Sequence, residues 1–101
     1  MEFSFKNRKK KTLRIEMADG TKITLPETPV GKYKKLFQSQ ENLEGNEIEE
    51  SVKLCAEILN TNLEGEKFTP KMIADDWTMA DMTDFVQTYV AFATGVKEEK
   101  N

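Results

Sequence analysis

The sequence predicts an α+β fold in one small domain, with a β-hairpin of two strands, extendable to three, packed on three or four α-helices. Three observations predict it. Residues 12–17 and 21–25 alternate apolar and polar side chains around Asp19-Gly20, the pair that a tight type I′ hairpin turn prefers. From residue 29 onward the apolar residues recur at spacings of three and four instead. A chain of 101 residues, 38% of them hydrophobic, supplies one modest core and has too little interior to divide between two.

The first strand, 12–17, places Leu13, Ile15 and Met17 on one face, and the second, 21–25, does the same with Thr21, Ile23 and Leu25. Pro26 lacks the N–H that a ladder needs and closes the second strand. A shorter alternation at Phe3 and Phe5 offers a third strand, connected through residues 7–11. Thr28-Pro29 reads as an N-cap with proline at the first helical position, and Val30, Tyr33, Leu36 and Phe37 carry a helix over 29–40. A polar loop follows. Asn46 with Glu49 resembles a capping box opening a helix over 47–60, whose stripe is Ile48, Val52, Cys55 and Leu59, flanked by Ala56 and Ile58. Thr69-Pro70 starts a short helix, 70–76, and Thr78 with Asp81 caps a last one, 79–94, which Gly95 stops. Apolar residues fill an arc of about 160° on that last helix, more than the roughly 100° stripe of an ordinary surface helix, so its edges are expected to be exposed. Residues 96–101 are charged and aperiodic, as in a flexible tail. The core is expected to join Leu13, Ile15, Ile23 and Leu25 to Phe37, Val52, Leu59, Val86 and Tyr89.

Composition removes several kinds of chemistry. The chain has no His, hence no imidazole base and no His metal ligand, and its one cysteine, Cys55, cannot form an intrachain disulfide. A lone thiol on the apolar stripe of a helix reads as packing, in a reducing compartment. The glycines are isolated turn and cap residues, without a phosphate-cradling loop. Asp75, Asp76, Asp81 and Asp84 cluster in sequence, but their spacing is not that of a calcium loop. No cofactor, metal or catalytic residue is therefore expected. Neither an export signal nor an apolar run long enough for a bilayer is recognisable, which predicts a soluble intracellular protein.

Charge is unevenly placed. Fifteen Lys and Arg face eighteen Asp and Glu, net −3, yet residues 1–40 carry +6 and residues 41–101 carry −9. Such a split can align two copies head to tail or show two faces to two partners. The densest basic run is Arg8-Lys9-Lys10-Lys11, a candidate phosphate-backbone contact; the acidic remainder would repel a polyanion. Trp77, between the last two helices, is either a hinge-filling aromatic or an interface anchor.

With these elements in order, the chain resembles the tail assembly chaperones of long-tailed bacteriophages and prophages. The resemblance covers roughly residues 12–97 and rests on the strand pair, the stretch Leu25-Pro26-Glu27-Thr28-Pro29-Val30-Gly31-Lys32, the acidic middle helix, Phe68-Thr69-Pro70-Lys71-Met72-Ile73, and above all Thr78 to Phe92. The basic run 8–11 has no counterpart in that pattern. The resemblance implies a non-enzymatic protein of the host bacterial cytoplasm. It would bind the long, largely helical tape measure protein, keep it soluble and help recruit tail tube subunits. An apolar groove suits that task, and the wide arc of the last helix, with Trp77, Phe85, Tyr89 and Phe92 as anchors, is where it is expected. The resemblance also implies a longer frameshifted product; Glu99-Lys100-Asn101 is compatible with codons GAA AAA AAC, which contain the slippery heptamer A AAA AAC. The alternative is a small nucleic-acid or ribonucleoprotein accessory acting through residues 6–11.

Overall fold

The computed structural model describes residues 1–38, 40 and 45–95. A two-stranded antiparallel sheet, β1 (Thr12–Glu16) and β2 (Lys22–Pro26), is followed by four helices: α1 (Val30–Gln38), α2 (Glu47–Leu59), α3 (Pro70–Asp76) and α4 (Met79–Thr94). The fold is α+β, one hairpin on a helical layer. The expected tail 96–101 lies outside the described residues.

The hairpin register pairs Leu13 with Leu25 and Ile15 with Ile23. Its turn differs from the expected type I′ turn, which needs a positive φ at both central residues. Only Gly20 has one, at 91°. Met17 and Thr21 instead flank a three-residue loop, in which Gly20 N–H donates to the Met17 carbonyl at 2.9 Å and Met17 N–H to the Thr21 carbonyl at 2.8 Å. Asp19 turns its carboxylate onto the Thr21 N–H at 2.9 Å, so the aspartate acts through its side chain and the glycine through its backbone. Pro26 belongs to β2, opposite Thr12, at the end where a missing N–H costs least. No third strand forms at Phe3 and Phe5. Both rings are exposed and pack only edge to face on each other, 4.7 Å between centroids.

α2 is the hub, against which α1, α3 and α4 all pack. Val52, Leu54, Cys55, Ala56, Ile58 and Leu59 are buried along it, more of its circumference than a single stripe, because three helices need a face each. Leu54 joins the expected set and Ile48, 60% exposed, leaves it. Burial pushes the Cys55 thiol up to about 11, so it is an inert packing group. Of the expected core, Ile23, Leu25, Val52, Leu59 and Tyr89 are buried, while Leu13, Ile15, Phe37 and Val86 are half-buried against them.

Two N-caps form as expected and two do not. Thr69 accepts from Met72 N–H at 3.2 Å, and Thr78 with Asp81 makes a reciprocal box at 3.0 and 2.8 Å, while Gly95 ends α4 at φ 74°. Asn46 makes no side-chain cap to α2, because its backbone, φ −126° and ψ 28°, is not extended as that geometry requires. Thr28 does not cap α1 either. Its hydroxyl lies 2.6 Å from the Tyr89 hydroxyl, and Pro29 supplies the carbonyl that accepts the first helical bond, from Tyr33 at 2.9 Å. α1 therefore begins one residue late, and it is described as far as Gln38, residue 39 of the expected span 29–40 lying outside the described residues.

Between α2 and α3, asparagines replace regular structure. Asn60 accepts from and donates to the Phe68 backbone at 2.7 and 2.8 Å, and the buried Asn62 bonds to the Glu66 backbone in the same two-way manner at 2.9 and 2.7 Å. This loop closes the outer edge of β2: Leu63 N–H donates to the Thr24 carbonyl at 2.9 Å, and the Glu64 carboxylate takes both the N–H and the hydroxyl of Thr24 at 2.7 Å. An edge that would otherwise template aggregation is thereby satisfied.

Candidate partner-binding site

The four aromatic anchors expected along α4 separate into two neighbourhoods. Trp77 and Phe85 meet edge to face at 5.3 Å. Tyr89 stacks on Tyr33 at 6.5 Å and lies equally far from Phe92, while Tyr33 also meets Phe37 at 4.7 Å. Tyr89 is wholly buried, so it packs α4 against the rest of the chain instead of facing a partner, while Phe85, nearly buried, still contributes to the wall of a groove. Burial pushes the Tyr89 phenol above its ordinary value, so it stays a neutral hydrogen-bonding group. Trp77 and Phe92 remain half-buried.

Trp77 leads to an open groove of about 740 Å³ between the hairpin turn and the start of α4. Ile15, Met17, Phe68, Met72 and Phe85 are the large apolar side chains that line it with Trp77, and Ala18 and Ile73 add to them. Around it stand Glu16, Asp19, Glu66, Asp76, Asp81 and Asp84, with Lys67 as the one basic lining residue. The local reason is plain: β1 ends here, α3 is two turns long, and the extended Trp77-Thr78 pair separates it from α4, so neither element covers the other. Two of these carboxylates are engaged, Asp19 at the Thr21 N–H, which holds it below the usual carboxylate range, and Asp81 at the Thr78 N–H. Among the described residues the ion pairs are Arg8–Glu27, Lys53–Glu50 and Lys71–Asp75, none of them between residues lining this groove. Nor do the described residues gather three possible metal ligands in one place.

A second apolar surface was only partly legible. Met79, Val86, Val90 and Ala93 follow one another at spacings of seven, four and three, which align them along one side of α4. Met79 is 56% exposed and the other three are half-buried, so the stripe borders the core without being covered by it. The width of the apolar arc announces an open edge, and the heptad-like spacing is the signal that locates it.

The basic run is tethered. Arg8 makes a two-pronged ion pair with Glu27, at 2.8 and 3.1 Å, and the Lys11 N–H adds a bond to the same carboxylate at 3.1 Å. The Arg8 guanidinium and the Lys11 N–H hold Glu27 down at about 2. Lys9, Lys10 and Lys11 keep exposed side chains, but Arg8 is already spent on a carboxylate. Among the described residues no helix is long and apolar enough to cross a membrane.

No family model, no curated protein and no solved structure matches this chain.

Proposed function

We propose that the chain is a non-enzymatic assembly chaperone of a bacteriophage tail, acting in the bacterial cytoplasm, that binds the helical tape measure protein and helps bring tail tube subunits to it. The observation that carries this reading is the open stripe Met79–Val86–Val90–Ala93 on the 16-residue α4. Residues spaced so pack against a second helix laid alongside, knob into hole, and a long helical partner offers many such places. The remaining features agree with a binding role: the one thiol is buried and inert, and the buried tyrosine holds α4 in place.

Coexpression tests it. The tape measure protein is expected to stay soluble and copurify when made with this chain, and to lose that protection when Met79→Lys and Val90→Lys cover the stripe with charge. A tape measure protein equally insoluble with and without the chain would end the proposal.

A further inference from the structure

We propose that the acidic groove beside Trp77 takes the Phe3–Lys10 segment of a second copy of this chain, so that copies join head to tail. Charge is the first argument. Residues 1–11 carry five basic side chains and one acidic, and only Arg8 of the five is paired among the described residues. The groove presents Glu16, Glu66, Asp76 and Asp84 against Lys67 alone, none in an ion pair among the described residues. Each surface has what the other lacks, and such complementarity fixes register and speeds encounter.

Aromatic exposure is the second. Phe3 and Phe5 are 68% and 85% exposed, and neither belongs to the core of its own chain. Two large rings held in water beside a basic run are an amphipathic ligand. Met72, 46% exposed, and the half-buried Trp77 are the sulfur and indole surfaces on which such rings and the stems of lysines pack well.

Placement decides that the ligand comes from another copy. The Glu27 tether and the groove lie at opposite ends of the hairpin, since Thr12 pairs with Pro26 at one end and Glu16 with Lys22 at the other. Five residues of β1 span about 17 Å. Neither Phe3 nor Phe5 lines the groove of its own chain; Phe5, three residues and at most about 10 Å of chain from the tethered Arg8, cannot reach it, and Phe3, five residues away, would have to be fully extended to touch its near edge. A contact between two different surfaces extends into chains or rings, and closes at two copies only where a two-fold axis lets them exchange segments reciprocally. Two phenylalanines bury about 150–250 Å² each, well under a standard interface, so the association is reversible and grows with concentration.

Sedimentation of the full chain at rising concentration tests this. The mean mass is expected to climb past that of a dimer at low salt and to fall back as salt screens the rim. Trp77, the only tryptophan, reports from within the groove, so its emission should shift to the blue over the same range. Phe3→Ser with Phe5→Ser, and separately Asp76→Lys with Asp84→Lys, should each weaken association at least tenfold without moving the thermal transition, because all four positions are exposed. An equimolar mixture of the two variants should give dimers and nothing larger, since one intact segment can enter one intact groove. A wild-type chain monomeric throughout, either variant associating as strongly as wild type, or a mixture that stays monomeric would overturn the proposal. None of these measurements contains the tape measure protein, so their failure leaves the chaperone reading standing, and failed coexpression leaves this one.

Discussion

β1 and β2 carry the same alternation and meet residue for residue, yet they end in different states. On β2, Ile23 and Leu25 are sealed, at 1% and 0% exposure, while Leu13 and Ile15 opposite them on β1 stay half-buried. The side chains are equivalent; the neighbours are not. β2 is bounded on one edge by β1 and on the other by Leu63 and Glu64, with Ile23 and Leu25 in the core, whereas β1 is an edge strand that borders the groove. A two-stranded sheet has one inner place to offer, and whichever strand the loop covers takes it. The same division runs through the helices. Tyr89, under β2's end of the molecule, is a closed aromatic, and Trp77, under β1's turn, is an open one.

The largest break in that comparison is Tyr89→Ala. It removes a fully buried ring and leaves the Thr28 hydroxyl without its partner, at a cost of about 3–5 kcal/mol in urea unfolding. In a domain whose total stability is on the order of 5–15 kcal/mol, that brings it near unfolding at room temperature. Trp77→Ala on the open side should cost less, because half of the ring is already in water.

The strands themselves supply the sharper test. Leu25→Ala should cost about 2–5 kcal/mol, as for a buried leucine, and Leu13→Ala, its cross-strand partner, about half as much. Equal losses would mean that β1 is as well covered as β2, and the groove would then not be an open surface in solution.

A smaller effect belongs to the hinge between the two sides. Thr78→Ala breaks the box that starts α4 directly after Trp77, and about 1 kcal/mol of stability should go with it. If Trp77 emission shifts in this variant while Tyr89 stays buried, the cap positions the open side specifically.

The hairpin, all four helices and both well-formed caps were legible in the sequence because each is decided within a few residues: alternation, helical spacing, Thr-Pro at α3, Thr78 with Asp81, Gly at the end of α4. What failed to be legible was decided at a distance. Thr28 looked like a cap and found Tyr89, 61 residues away; Asn46 looked like a cap and received the wrong backbone. Asp19-Gly20 announced a turn but not its length. Residue type marks candidate anchors but cannot separate a tyrosine that binds from one that holds the fold. The groove was invisible because its walls come from the hairpin turn, α3 and α4, and nothing local joins them.

The gentlest perturbation acts on the tether that keeps the segment 1–11 at the closed end of the hairpin. Glu27 has its folded value depressed from 4.5 to about 2, by the Arg8 hydrogen bonds first and the Lys11 N–H next. For a depressed carboxylate the contribution is complete above the unfolded value and disappears as pH falls through the folded one. The Glu27 side-chain carbon signal should therefore show its midpoint near pH 2, with the Arg8 guanidinium resonances following it, and added salt should raise that midpoint because the pair is exposed. Global stability should move little. A midpoint near 4.5 would mean that the segment swings free of Glu27, able to reach either end of its own hairpin, and the contrast between a tethered closed end and a vacant open one would no longer require a second copy.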